Sequence, residues 1–241
     1  MRKLLIVAIL LLLSRDCFAA ASISDTPQWA NGVSQSYSYT VGSNSNRLLV
    51  AKLLWYGGTD RNVSSCTYNG TTLVKAIGSH YNIGGYFLTV EIWYIFSPSS
   101  GSNTFTWSLD GAVDGYNSSI QSGDGFLQSG PDATISYQEN GTASPTSHSI
   151  TTVADQAFIF DAIINGGGWS GTIAAVSPQV DGASTYSSYK GPVSAGSNTM
   201  GWTYTGTSQA SHAIASFAPA PDVINTTKIY NTKLYNTKIY G

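Results

Sequence analysis

The chain has 241 residues, of which 42% are hydrophobic and 10% charged, and its formal net charge is −2. Globular chains average about 25% charged residues. The shortage of charge excludes charge-driven disorder, a cytosolic helical protein with Glu, Lys and Arg on its helix surfaces, and a basic nucleic-acid-binding surface. Gly (25) and Tyr (15), with abundant Ser, Thr and Asn, suit β-strands joined by tight turns.

At the N-terminus, Arg2 and Lys3 precede an unbroken apolar run from Leu4 to Leu13, and Ala19, Ala20 and Ala21 follow. This is the layout of a signal peptide, assigned to residues 1–20. A membrane span needs about 20 apolar residues, and Arg15 and Asp16 interrupt this run. The expected location is secreted, extracellular or at the cell surface, with the periplasm as the alternative. The exported chain is expected to be soluble rather than integral to a membrane. It keeps eight basic and twelve acidic residues, a balance of −4. Cys66 is then its only cysteine, so an intrachain disulfide is excluded. The strand-like run Val63 to Tyr68 around it predicts a buried thiol in preference to a reactive or intermolecular one.

Period-two alternation and short apolar runs predict strands over 35–41, 47–56, 63–68, 72–77, 86–96, 103–109, 147–152, 156–164, 171–176, 198–205 and 210–217. Asn69-Gly70 suits a type I′ hairpin turn, because both residues accept positive φ. Over 103–109, Phe105, Trp107 and Leu109 share one face and Thr104, Thr106 and Ser108 the other, the pattern of a half-buried strand. The chain also echoes itself. LLVAKLLWYGG (48–58) matches AFIFDAIINGG (157–167), and GSNTFTWSLDG (101–111) matches GSNTMGWTYTG (196–206). The fold expected is all-β, an antiparallel two-sheet sandwich of jelly-roll or immunoglobulin-like type over residues 21–219, with an internally duplicated strand set. Trp93, Trp107 and Trp202 fall inside strands and are assigned to the core.

The order "NRLLV", "TYNGTTL", "VEIWYIFSPSSGSNTFTWS" and a closing "HAIASFAPA" resembles jelly-roll or immunoglobulin-like β-sandwich modules of largely uncharacterised exported bacterial and phage-borne proteins. The resemblance covers roughly residues 35–219 and implies a lectin-like or adhesive role. Its motifs are strand cores and turns, so it carries over no site residue.

No catalytic signature stands out. His80, His148 and His212 lack zinc-ligand spacing, and no G-x-S-x-G elbow occurs. Glu91, on a face with Thr89 and Trp93, is the candidate acid for a carbohydrate-active enzyme, a reading that ranks below a non-enzymatic one. No cofactor is expected; calcium on the loop carboxylates Asp110, Asp114 and Asp124 is the one metal candidate. Lys52 and Asp161 hold matching places in the echoed apolar strands, and burial of either alone costs several kcal/mol. They are expected on an outer sheet face, the alternative being mutual neutralisation across the sandwich. Aromatic rings among glycines and small polar residues suit stacking on sugars, which makes Tyr81, Trp169, Tyr186 and Tyr189, all placed on loops, the candidate ligand-binding residues. The face around Lys52 and Glu91 is the next candidate surface.

From Pro219 the composition changes, and residues 220–241 form a Pro-led linker and tail in which Thr-Lys-Ile/Leu-Tyr recurs every five residues. An odd period puts equivalent residues on alternate strand faces, which favours a frayed terminus over a role in self-association. The function expected is a secreted, non-enzymatic binding or adhesion module for a glycan or cell-surface component, with no nucleic-acid partner. The alternative is a structural subunit of a surface appendage or particle.

Overall fold

The computed structural model describes residues 22–30, 34–143, 146–166, 174–176, 180–181, 186–203 and 207–221. Residues 1–20, expected to be a signal peptide, almost all of the tail, and Trp169 lie outside the described residues. Residues 20–220 form one compact unit. Its strands come in two runs. The first holds β1 (Ser22–Ala30), β2 (Ser34–Val41), β3 (Leu48–Gly57), β4 (Val63–Tyr68), β5 (Thr71–Thr72), β6 (Val74–Ile83), β7 (Tyr86–Phe96), β8 (Gly101–Leu109) and β9 (Gly115–Asp124). The second holds β10 (Ala133–Ala143), β11 (Thr146–Thr152), β12 (Ala157–Asn165), β13 (Ala174–Ala175), β14 (Val180–Asp181), β15 (Ser187–Val193), β16 (Gly196–Thr203) and β17 (Thr207–Phe217). Among the described residues no helix is long and apolar enough to cross a membrane.

The two runs share one wiring. The order β1-β9-β3-β7-β6 in one sheet is repeated as β10-β17-β12-β15-β14, and β2-β8-β4-β5 is repeated as β11-β16-β13. The pairings are antiparallel. The chain passes from one sheet of each pair to the other in the manner of a jelly roll. The duplication therefore extends further than one shared sandwich, since each strand set builds a two-sheet sandwich of its own.

Three apolar layers hold the four sheets together. Leu49, Ala51, Leu53, Trp55, Phe105 and Trp107 fill the first sandwich, and Ile150, Ile159, Met200 and Ile214 fill the second. Between the sandwiches, Leu48, Val50, Leu54, Leu88, Val90 and Ile92 of the first pack against Phe158, Phe160, Ala162, Ile164, Ala215 and Phe217 of the second. Strands β3 and β12 are buried on both faces, which is why each reads as an apolar run broken by one charge alone. β8 lies in an outer sheet with one face in solvent, and it alternates.

This layering corrects the expectation for Lys52 and Asp161. Both are fully buried. Lys52 shares its face with Leu48, Val50 and Leu54; its Nζ donates to Gln121 Oε1 and lies 5.9 Å from the centroid of the Phe160 ring. Asp161 faces the other way, into the second sandwich, where Trp202 Nε1 donates to its Oδ2 at 2.8 Å. The letters of the two strands match 109 residues apart, but Leu48, Val50 and Leu54 share the inter-sandwich layer with Phe158, Phe160 and Ile164, which are 110 residues on. A slip of one residue exchanges the faces of a strand.

The GSNT echo has a local cause. Gly101 (φ 86°) and Gly196 (φ 115°) open their strands in backbone regions that favour glycine. The amide of Asn103 donates to Ser100 O and Gly101 O, and that of Asn198 to Ser194 O and Gly196 O. Each motif then sends a fully buried Trp inward, Trp107 or Trp202. Asn69 (φ 49°) and Gly70 (φ 74°) form the expected hairpin turn between β4 and β5. Cys66 is buried as expected, and burial, with a smaller effect of the Glu91 charge, pushes its thiol far above the ordinary cysteine value.

Strands β9 and β10, with β1, β14 and β15, have no counterpart in the apolar pattern. β9 (GYNSSIQSGD) sits in the middle of its sheet and is polar. Its hydroxyls are satisfied internally: Ser118 by Gln35 and Tyr37, and Ser122 by Tyr39.

Candidate functional site

At one end of the first sandwich the β3–β4 loop, the β8–β9 loop and the β6–β7 hairpin come together. Register places Gly57 opposite Phe87, Tyr56 opposite Gly115, and Ile83 opposite Tyr86. The loops are tied to one another. Asp110 N donates to Asn62 O at 2.9 Å, Asp114 N donates to Tyr56 O at 2.9 Å, and Arg61 Nε reaches Ala112 O at 3.4 Å.

A charged cluster occupies the inner face of this end. Glu91, 1% exposed, accepts from Lys75 Nζ at 2.8 Å and from His80 Nε2 at 3.1 Å on one oxygen, and from Trp93 Nε1 at 2.7 Å on the other. His80 Nδ1 lies 2.8 Å from Asp60 Oδ1. With a carboxylate on each ring nitrogen, His80 satisfies both contacts only as the imidazolium, which donates from both. The Glu91 hydrogen bond, with Asp60 adding to it and burial opposing, raises its pKa above the ordinary histidine value. Burial alone would raise Glu91, but the hydrogen bonds from His80, Lys75 and Trp93 outweigh it and hold the carboxyl below its ordinary range. Gly78 makes room, since a Cβ there would lie 3.0 Å from Glu91 Cγ. Trp55, Thr89 and His80 stand in line across three strands. Trp55 meets the His80 ring edge-on, with centroids 5.8 Å apart, and Trp55 Nε1 and Thr89 Oγ1 are buried without hydrogen-bond partners.

On the rim of the same end Tyr86 is 36% exposed at the hairpin tip. Its ring lies 6.1 Å from that of half-buried Tyr56. Partial burial of its hydroxyl first, then the Asp114 carboxylate close by, push its pKa up to about 12. The Tyr56 ring lies over Gly115, where a Cβ would come within 2.6 Å of the ring.

The aromatic candidates from the sequence are placed differently. Tyr81 lies in β6 and Tyr189 in β15, both half-buried, and Tyr186 is buried just before β15. All three pack against the inter-sandwich layer; Tyr81 and Tyr189 do so from strands, and Tyr186 from a turn, as its loop placement anticipated. The surface around Lys52 and Glu91 is corrected as well: both are buried, on opposite faces of one sheet. A general acid needs a raised carboxyl pKa, whereas Glu91 is held ionised. Of the calcium candidates, Asp110 accepts from Asn62 at 3.4 Å and Asp124 from Asn44 at 2.9 Å. Among the described residues no three His, Cys, Asp or Glu side chains are grouped to hold a metal ion. Sequence reasoning missed the His80–Glu91 pair because it ended the strand at residue 77. Reading Gly84-Gly85 as a hairpin tip would have set β6 against β7.

No family model, no curated protein and no solved structure matches this chain.

Proposed function

We propose that the protein is an exported, non-enzymatic binding module for a glycan or cell-surface component, with its contact region at the rim of the first sandwich. The observation that carries this reading is the Tyr86 corner: an exposed ring at a hairpin tip, a second tyrosine beside it, and the Asp114 carboxylate close to its hydroxyl. Sugars are held by an aromatic face together with hydrogen-bonding groups around it. The ionised cluster behind the rim supports the corner by fixing Asp60 and the β6 strand. A glycan array probed with and without calcium tests the reading. Retention of a defined set of glycans without calcium supports it, and an array with no retained glycan argues against it.

A second reading, a structural subunit of a surface appendage or particle, is favoured by the outer sheet faces. Ser36, Ser38, Thr40, Ser102, Thr104 and Thr106 form an uncharged hydroxyl array on the first sandwich. Ser36 and Thr106 are 3.0 Å apart across the strands, and Ser149 and Thr199 repeat the arrangement at 3.3 Å on the second. Concentration-dependent assembly in sedimentation would favour this reading over the first.

A further inference from the structure

The second sandwich contains a chain of four titratable side chains that the proposed binding role does not use. Asp161 Oδ2 lies 2.8 Å from His212 Nε2, His212 Nδ1 lies 2.9 Å from His148 Nδ1, and His148 Nε2 lies 2.6 Å from Glu139 Oε1. Asp161 and His212 are fully buried, and the side chains of His148 and Glu139 are 11% exposed. The chain thus runs from the middle of the sandwich to its surface. It joins β12, β17, β11 and β10, and so crosses from one sheet to the other.

Each of the three contacts needs one proton. Two neutral imidazoles bring only two between them. Both carboxylates already act as acceptors elsewhere: Asp161 from Ser188 and Trp202, Glu139 from Thr146. Each imidazole therefore gives its Nε2 proton to a carboxylate, which leaves two Nδ1 lone pairs pointing at each other. A cation must lie between them. A tetrahedral zinc, with Zn–N of about 2.0–2.1 Å, would hold the two nitrogens roughly 3.3 Å apart. The observed 2.9 Å is the length of an N–H···N hydrogen bond.

We propose that His148 and His212 form a proton-binding site, in which one shared proton closes the Asp161–His212–His148–Glu139 chain and fastens the two sheets of the second sandwich together. The titratable groups facing the pair are Glu139 and Tyr137 from β10, the latter stacked on His148 at 3.8 Å, and Asp161 from β12; β15 and β16 contribute the neutral donors Ser188 and Trp202. Interacting groups of this kind titrate as a pair in two separated steps. With one proton the link forms. With none, two acceptors face each other; with two, two donors do. Burial, and next the neighbouring His212, lower the pKa of His148, as expected for the ring that accepts the shared proton and resists a second. The fastening is therefore present in a window of pH and lost on both sides of it. The first sandwich supplies an internal comparison. On the corresponding strands β2 and β9, Tyr37 Oη and Ser118 Oγ meet at 3.1 Å, an ordinary hydroxyl pair that needs no added proton to close.

Nitrogen-15 NMR of the full chain, labelled at histidine, tests the proposal. Near pH 7 both Nε2 atoms should report as protonated. The two Nδ1 atoms should share one proton, and adding zinc should leave them unchanged. Two bare-acceptor Nδ1 signals at that pH would overturn the proposal, and so would displacement of both signals by stoichiometric zinc. In parallel, Tm is followed against pH for the wild type and for the double variant His148→Tyr/His212→Ser, which copies the first sandwich. The wild-type curve should fall on both sides of a maximum where the variant's does not. Curves of the same shape would contradict the proposal, and the NMR result stands whether or not the variant folds.

Discussion

The two echoed tryptophans offer a matched pair of perturbations. Trp107 and Trp202 are both fully buried in corresponding strands, and each uses its Nε1–H inside its sandwich. They differ in the acceptor: Trp107 donates to the neutral amide of Gln35 at 3.1 Å, and Trp202 to the Asp161 carboxylate at 2.8 Å. Trp→Phe at either site removes the same atoms, so the transfer and cavity contributions largely cancel between the two variants. What remains is the hydrogen bond. A neutral one contributes about 0.5–1.5 kcal/mol, and one to a charged group about 1.5–3 kcal/mol. Trp202→Phe should therefore cost about 1–1.5 kcal/mol more than Trp107→Phe. In a unit of this size that difference appears as roughly 2–4 °C of Tm per kcal/mol. Far-UV circular dichroism melts of both variants at one pH measure it. Equal losses, or a larger loss for Trp107→Phe, would refute the assignment of Asp161 as a buried anion fed by Trp202.

Three further outcomes follow from the first sandwich. The raised pKa of His80 means that its ionic contacts stabilise the fold fully below the ordinary histidine value and are lost as pH rises through the raised one. The Tm difference between wild type and His80→Gln should accordingly be largest in mildly acidic buffer, where Glu91, held below its ordinary range, stays ionised, and shrink in alkali; a difference that grows with pH would contradict the imidazolium. The buried Cys66 thiol should resist an aromatic disulfide reagent until the chain unfolds, as read by mass mapping of the labelled cysteine; rapid labelling of native protein would show it to be accessible. Gly115→Ala should displace the Tyr56 ring and weaken glycan retention on an array; retention at the wild-type level would separate Tyr56 from the contact region.

How much of this was legible in the sequence depends on what each residue faces. Phe105, Trp107 and Leu109 alternate with hydroxyl residues because their strand has one wet face, and that pattern is readable without a structure. β9 was not readable, because a strand whose buried hydroxyls bond to Gln35, Tyr37 and Tyr39 looks polar throughout. The second sandwich was half visible in the GSNT echo. The faces of Lys52 and Asp161 were not, because similarity of letters fixes neither parity nor burial on the second face of a sheet. Long-range partners were hidden for a related reason. His148 and His212 are 64 residues apart and meet only because β11 and β17 close the same sandwich. Tyr81 and Tyr189 failed as loop residues because β6 and β15 run through them, whereas Tyr86, just after Gly84-Gly85, stands at a true hairpin tip.

The measurement that bears most directly on the proposed role is paired affinity and stability for Tyr86→Ala, using a glycan retained by the wild type on the array. The ring is exposed at the hairpin tip and has few packing contacts to lose, so Tm should change little while affinity for that glycan falls at least tenfold, about 1.4 kcal/mol. Unchanged affinity with unchanged Tm would contradict the assignment of the rim of the first sandwich as the contact region.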